Sequence, residues 1–428
     1  MSMNAPSNPS GLSPVVLSRW RKVPGYLIGG GLVLCLLGVL RSPQQFGYSW
    51  LLAFMFYLSL VLGAVFLVMV HHLFDASWSV GIRRFCEHLA CLVFPWMALF
   101  FLPVALLSPK IYKWMGADPR LDHALAAKWP LFTKPGFWLA AVVCLGVWAL
   151  LAWRLRYWSL KQDEDGAARC THRMRFHSSW GIFAFGFTLT LGAIMWMKGL
   201  QYQWFSTMYG VYYFAGCAWV ALAAAYVIAM ILDRQGMIRD TMGAEQYYFL
   251  GSLLFAFTVF SAYIHFGQYF VIWNANMPEE TFWYVLREKG SWWTIGLILV
   301  FGHFLVPFLA LLRIDVKLVF RFMVPLCAWI GLMQYIDLSF NIMPALHPNG
   351  FGLRWVWLDA GCLALMGGVL IKVFMRDLNR YPAYPVKDPR LAEAMGLYPE
   401  VLEQTPGEAG GQTGKLSGAQ SHPDGGGQ

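Results

Sequence analysis

The chain has 428 residues, of which 58% are hydrophobic and only 13% are charged. An ordinary soluble domain carries about 25% charged residues, so this composition excludes a soluble globular protein. The formal net charge of +9 would suit nucleic acid, but the basic residues lie between apolar runs and form no continuous patch. We therefore expect the lipid bilayer, and no nucleic acid, as the surroundings of an all-α polytopic membrane protein.

Apolar runs of about 20 residues, separated by charged or Pro/Gly-containing breaks, predict about ten membrane helices. The runs are too long for the strands of a membrane barrel. The first run follows three basic residues, as a signal peptide would, but it lacks a small-residue cleavage site, so we expect a retained anchor. The predicted cores are 25–40, 48–72, 80–107, 136–157, 178–198, 205–232, 246–273, 291–312, 318–340 and 353–375.

The spacing of the predicted helices suggests an internal repeat. We expect the second to fifth helices and the sixth to ninth helices to form two four-helix bundles, flanked by the first and tenth helices. In each bundle the first hairpin turns through a charged segment, 75–87 in one and 233–245 in the other. This organisation predicts an N-terminal segment 1–23, a helical membrane domain 24–380 and a disordered C-terminal tail 381–428.

The distribution of basic residues predicts the orientation in the membrane. The N-terminus, the even-numbered loops and the C-terminal segment hold 22 of the 32 Lys and Arg residues, and the odd-numbered loops hold 10. Because basic residues favour the cytoplasmic side, we expect both termini to be cytoplasmic. The loop 109–134 reduces the asymmetry, since it places five basic residues on the outer side.

The eight cysteines show no CxxC and no CxxCH spacing, and nearly all lie inside apolar runs. Free cysteine in such surroundings behaves as a small hydrophobic residue. The sequence therefore contains no iron–sulfur, zinc or c-type haem motif, and we expect no metal site and no covalently bound cofactor.

Ionisable side chains are concentrated in the hairpin between the second and third helices. The third helix is expected to start near Ser77 or Ser79, because short polar residues cap helices. Four-residue spacing then places Arg83 and Glu87 on one face. This pattern suits proton uptake or a quinone head group, and an ion-pair cluster that orients the helices is the alternative. The candidate residues in this hairpin are His71, His72, Asp75, Arg83, Glu87 and His88.

A second set of polar side chains lies at membrane depth in the last four helices. Such side chains are costly in lipid and mark paths for ions, protons or ligands. At 1.5 Å per residue, His265 lies roughly 12 Å from the outer interface. His303 is predicted near the middle of the membrane. The different depths disfavour a haem held by both histidines. The candidate residues here are Tyr263, His265, Gln268, His303, Asp337 and Asp359.

The stretch 261–284 carries a family resemblance. Residues 260–263 and 268–270, followed by Ile-Trp-Asn-Ala-Asn-Met-Pro-Glu-Glu-Thr at 272–281, resemble the seventh helix of the NrfD-like (polysulfide reductase-type) membrane subunits. The resemblance is to the ActF-type subunit of bacterial alternative complex III. The segment 72–87 is similar to the same family, and ten helices with cytoplasmic termini fit it. The resemblance covers about residues 20–380 and is most specific in 261–284.

The resemblance implies an integral membrane subunit of a respiratory quinol oxidoreductase in the bacterial inner membrane. Its complex would oxidise quinol, specifically menaquinol, and pass electrons to a cytochrome c or an oxidase. The implied partners are a second NrfD-like subunit, an iron–sulfur protein and c-type cytochromes. This chain would contribute a proton-conducting path or a quinone pocket and would not be catalytic alone. The second NrfD-like subunit is the better candidate for the quinol site.

Two other classes of function fit the same composition. A secondary transporter would have a polar site at the membrane midplane, formed by helices broken at matching positions of two inverted halves. The prolines at 95, 103, 307 and 325 show no such pairing. A structural scaffold subunit would use its polar residues only to hold helices together.

Overall fold

The computed structural model describes residues 20–397, which form helices and no strands. Ten segments within this range are long and apolar enough to cross a membrane, so the predicted all-α polytopic fold is confirmed. A further helix, Pro278–Arg287, lies between the seventh and eighth of them. The ten are α1 Val23–Arg41, α2 Pro43–Phe74, α3 Ser77–Ile111, α4 Lys134–Asp165, α5 Ala168–Trp196, α6 Tyr209–Arg234, α7 Ala244–Ala275, α8 Ser291–Leu312, α9 Phe320–Ala345 and α10 Leu353–Arg380.

Successive spans run in opposite directions, so their loops lie alternately on two sides of the bundle. Side I contains the hairpin at 75–76 and the segment 381–397. Side II contains the long loops 112–133 and 197–208. Because ten spans separate them, the first and last described residues both lie on side I.

Local sequence sets the ends of α2. The Ser42 side chain accepts a hydrogen bond from the backbone N–H of Gln45 at 3.3 Å and so caps the first turn. At the other end, Asp75 adopts the left-handed conformation with φ 54°, which Asp tolerates better than most residues. The third span begins at Ser77, as predicted, although the Ser79 hydroxyl lies 2.7 Å from Nδ1 of His71 and does not cap the helix.

Two of the spans depart from α-helical geometry in their interior. In α3 the helix is interrupted between Cys91 and Pro95, since proline lacks a backbone N–H. In α8 the segment Leu299–Leu305 is a π-helix, in which the turn is widened. Nε1 of Trp329 donates a 2.8 Å hydrogen bond to the carbonyl oxygen of Gly302 within this segment. Such widened turns frequently occur at functional sites.

The helices α2 and α6 form the centre of the bundle. In each, 78% of the most apolar window is buried inside the protein, against 22% for α1. A Cβ at Gly63 of α2 would lie 2.1 Å from the carbonyl oxygen of Cys217 in α6. Only glycine therefore lets these two backbones approach so closely, which is a common way of packing helices in membranes.

The remaining helices pack around these two in the predicted grouping. The helices α3 and α5 pack against α2, and α4 packs along α5. The helices α7 and α9 pack against α6, and α8 contacts both of them. The first span, α1, lies along α10 at the flank. This arrangement agrees with two four-helix groups and places the polar residues of α6 to α9 next to one another.

Candidate functional site

A set of linked polar side chains lies in the side II half of the bundle, centred on Asp337 of α9. Asp337 is only 3% exposed, and Nε2 of His265 on α7 lies 3.2 Å from its Oδ1. The hydroxyl of Tyr212 donates to the same oxygen. The Asn341 amide donates to the Tyr212 hydroxyl at 2.9 Å, and Tyr209 donates to the Asn341 amide oxygen at 3.0 Å. These five residues and His303 are called the side II network.

The hydrogen bonds of His265 require a proton at its contact with Asp337. Nδ1 of His265 lies 2.6 Å from the carbonyl oxygen of Ser261, which can only accept, so Nδ1 carries a hydrogen. A hydrogen bond between Nε2 and Asp337 then needs one more hydrogen, on the imidazole or on the carboxyl group. The two residues together therefore hold one proton in either arrangement. Two coupled groups that share a proton can receive and release it as a unit.

His303 lies beside this pair, contrary to the depths predicted from the sequence. The ring centres of His303 and His265 are 5.3 Å apart, so the expectation of different depths is wrong. The count placed His265 too shallow, because α7 continues past Trp273 to Ala275, and it did not anticipate the π-helical segment that contains His303. The His303 ring also lies 4.0 Å from the Trp219 ring, and its buried Nε2 has no hydrogen-bond partner among residues 20–397.

Arg287 extends the side II network and was missed as a site residue in the sequence. Its guanidinium group donates to the backbone carbonyls of Phe340 at 2.9 Å and Asn341 at 3.0 Å. It also stacks on the Trp283 ring, 3.4 Å from the ring centre. Burial lowers the pKa of Arg287 to about 9. The sequence pattern that could have revealed it is an arginine one helical turn after a tryptophan, because this spacing favours stacking of the cation on the ring.

Two of the residues predicted with His265 lie outside the side II network. Tyr263 is 69% exposed on the outer surface of α7. The Gln268 side chain accepts a hydrogen bond from Ser206 at 3.0 Å and donates to the Tyr284 hydroxyl at 3.3 Å. Gln268 therefore ties α7 to the side II loops, while Tyr263 faces away from the bundle.

The second polar group lies on side I and is centred on Arg83. Arg83 forms ion pairs with Glu87, at 3.2 Å, and with Asp388. It also donates to Ser159 at 3.1 Å and lies 3.4 Å from Nε2 of His71. These five residues are called the side I cluster, and each is at most 5% exposed. Arg83 and Glu87, which were predicted to share one helix face, are paired, and Arg83 also contacts His71.

The side I cluster has opposite charges in mutual contact, which is the arrangement of ion pairs that hold helices together. Arg84 extends it with a 3.1 Å ion pair to Glu87 and a further ion pair to Asp163 of α4. Of the two interpretations of this hairpin, the geometry favours the ion-pair cluster over an open site for proton uptake.

The other hairpin candidates occupy two different environments. Asp75 lies at the surface, where it pairs with Arg175 and Arg390. The Nε2 atom of His72 is buried without a hydrogen-bond partner among the described residues. Both ring nitrogens of His88 are likewise buried and unpartnered within residues 20–397. Asp75 is therefore outside the buried side I cluster, and the ring of His72 lies 4.9 Å from the ring of His71, a member of that cluster.

The segment 381–397 corrects part of the predicted disordered tail. Its backbone N–H at Val386 donates to Asp163 at 3.0 Å, and Asp388 is buried against Arg83. Composition did not show this, because the ion pair joins residues 305 positions apart. The rest of the predicted tail, 398–428, and most of the predicted N-terminal segment, 1–19, lie outside the described residues.

Replacing Asp388 by Asn should detach this segment. Burial raises the pKa of Asp388, but the neighbouring His71, whose Nε2 lies 3.7 Å from the carboxylate, and the charge of Arg83 outweigh it and hold the pKa at about 2. The carboxylate therefore stabilises the folded state above about pH 4, and this contribution is lost as the pH falls from about 4 to about 2. At pH 7 we expect Asp388→Asn to weaken the attachment by roughly 2 kcal/mol.

Limited proteolysis of the purified protein measures this attachment. Trypsin should cleave after Lys387 and Arg390 faster in Asp388→Asn than in the wild type. The exposed Asp165, which pairs with Arg169 at 3.2 Å, provides Asp165→Asn as the matched control, and its cleavage should stay at the wild-type rate. Equal cleavage of Asp388→Asn and the wild type would contradict the role of the buried ion pair.

Asp359 of α10 lies apart from both groups and has its own chain of partners. Tyr335 donates to its Oδ2 at 2.9 Å, and the Ser49 side chain lies beside it. Its Oδ1 is buried without a hydrogen-bond partner among residues 20–397. From Ser49, hydrogen bonds of 3.2 Å to Gln45 and 2.6 Å onward to His347 lead toward side II. These residues form a second candidate path for protons.

The geometry also bears on the haem and metal alternatives. Both ring nitrogens of His265 have partners, Ser261 and Asp337, so neither is free for haem iron. Among the described residues, no group of three or more His, Cys, Asp and Glu side chains is arranged to hold a metal ion. The arrangement of the side II network suits the binding and transfer of protons.

These features define a polytopic helical membrane protein with a buried titratable network. Comparison with known proteins adds no narrower class, because no family model matches the chain and no curated protein matches it.

Proposed function

We propose that this chain is a proton-conducting membrane subunit of a respiratory quinol oxidoreductase of the alternative complex III type. The observation that carries the proposal is the buried His265–Asp337 pair, which holds one proton and lies beside the unpartnered Nε2 of His303. The resemblance of 261–284 to NrfD-like subunits supplies the respiratory context. His265 belongs to that stretch.

In this proposal electrons do not pass through the chain. They move from quinol, specifically menaquinol, through partner subunits that carry iron–sulfur clusters and c-type haems. The side II network and the Asp359 chain provide proton-binding groups in the membrane. The second NrfD-like subunit holds the catalytic quinol site, and the protein lies in the bacterial inner membrane with side I toward the cytoplasm.

The transporter alternative is not favoured by the helix interruptions. The interruptions in α3 and α8 fall in the second helix of one four-helix group and the third helix of the other. Inverted repeats would place broken helices at corresponding positions. The polar side chains also differ between the two sites. Those of the side I cluster are ion-paired, whereas His265 and Asp337 of the side II network share a proton.

Purification of the intact assembly tests the proposal. The protein, tagged at its C-terminus and solubilised in mild detergent, should retain partners that contain covalent haem and iron–sulfur clusters. Addition of a menaquinol analogue should reduce that haem, as followed by its absorption spectrum. A homo-oligomer without haem, recovered under conditions that keep another respiratory complex intact, would overturn the proposal in favour of a transporter or scaffold.

A further inference from the structure

Two lysines on side II share one aromatic ring. The ammonium group of Lys128 lies 4.2 Å from the centre of the Phe205 ring, and that of Lys198 lies 5.7 Å from it. Lys128 also donates to the backbone carbonyl of Tyr202. Lys198 is only 7% exposed, which is unusual for a lysine. Two loops, 112–133 and 197–208, thus bring two positive charges together.

Neither lysine has a carboxylate partner. Among residues 20–397, no ion pair involves Lys128 or Lys198. The charge of Asp122 raises the pKa of Lys128, but Asp122 forms no ion pair with it. The oxygens of Asp122 instead accept hydrogen bonds from Tyr202 at 2.5 Å and from the Leu125 N–H at 3.1 Å. Burial, together with the charge of Lys128, lowers the pKa of Lys198 to about 8. With a pKa of about 8, Lys198 is still mostly charged at pH 7, and neither lysine is paired directly with a carboxylate among the described residues.

The surroundings indicate where a compensating anion would come from. Lys198 follows the side II end of α5 by two residues, so the pair lies at the level where the spans leave the membrane. Large apolar side chains next to it are exposed, including Trp129 and Phe205. Aromatic side chains with basic residues at this level are typical of the lipid head-group region.

We propose that Lys128 and Lys198 bind the phosphate of an anionic phospholipid at the side II surface, with Phe205 and Trp129 against its glycerol and acyl region. Lysine binds phosphate as a point charge, and basic pockets at the ends of membrane helices recognise lipid head groups. The site is separate from the side II network and does not depend on the proposed respiratory function.

Native mass spectrometry of the delipidated protein, with its retained partners, tests this site. Added phosphatidylglycerol should bind at one high-affinity site per chain, whereas phosphatidylcholine, which has no net charge, should not. In a variant with Lys128→Gln and Lys198→Met, the affinity for phosphatidylglycerol should fall about 30-fold. The attraction of each lysine to an anionic lipid surface corresponds to about 5-fold in affinity, and the variant removes two lysines.

The control variant, Lys110→Gln with Lys113→Gln, removes two exposed lysines from the same side and should keep the wild-type affinity. If Lys198→Met prevents folding, Lys128→Gln alone should reduce the affinity about 5-fold. Equal binding of both lipids, or an equal loss in the control variant, would overturn the proposal. Displacement of phosphatidylglycerol by millimolar inorganic phosphate would overturn it in favour of a site for free anions.

Discussion

Asp337→Asn is expected to reduce proton movement by the intact complex by about 100-fold, because the pair with His265 can then no longer exchange its proton. Asparagine keeps the size of the side chain, and its amide oxygen can still accept the hydrogen bond from Tyr212. The fold and assembly should therefore survive. The measurement is quinol-driven pH change in sealed vesicles that contain the purified complex.

Two further variants make this result specific. His265→Gln should produce the same loss, since the amide can donate to Asp337 but cannot carry a proton. Asp315→Asn is the matched control, because Asp315 lies at the side I surface and pairs with Arg313 where both are more than 70% exposed. If Asp337→Asn moves protons at the wild-type rate in a complete complex, the side II network is not part of the path.

The membrane spans were predictable because the cost of lipid exposure acts on each segment separately. A run of about 20 apolar residues reveals a span without knowledge of its neighbours. The same local reasoning placed the start of α3 near Ser77 or Ser79 and put Arg83 and Glu87, which are four residues apart, on one helix face. Each of these features depends on residues that are close in sequence.

The partners of the site residues were not predictable in the same way. His265 and Asp337 are 72 positions apart, and their contact depends on the packing of α7 and α9 around α6. His265 and His303 were assigned different depths because the depth of His265 was counted from Trp273, whereas α7 continues to Ala275. Arg287 was counted only as a basic loop residue, although it is buried on Trp283. Sequence therefore identified costly side chains but not their neighbours.

Arg83→Met is expected to destabilise the protein by about 3–5 kcal/mol, because it leaves Glu87 and Asp388 buried without their common partner. The effect should appear as a large fall in the thermal unfolding temperature of the purified protein in detergent. Arg313→Met is the matched control. Its ion pair with Asp315 is exposed, and the loss of such a pair costs less than about 1 kcal/mol.

A variant without any of the three charges, Arg83→Met with Glu87→Gln and Asp388→Asn, separates the two interpretations of the side I cluster. Removing the unpaired carboxylates should restore much of the stability lost in Arg83→Met, since a buried charge is costly mainly when its partner is missing. If proton movement also remains at the wild-type level, the cluster only holds α3, α4 and the segment 381–397 together. If stability returns but proton movement is lost, the cluster carries protons into the membrane from side I. The ion-paired geometry predicts the first result.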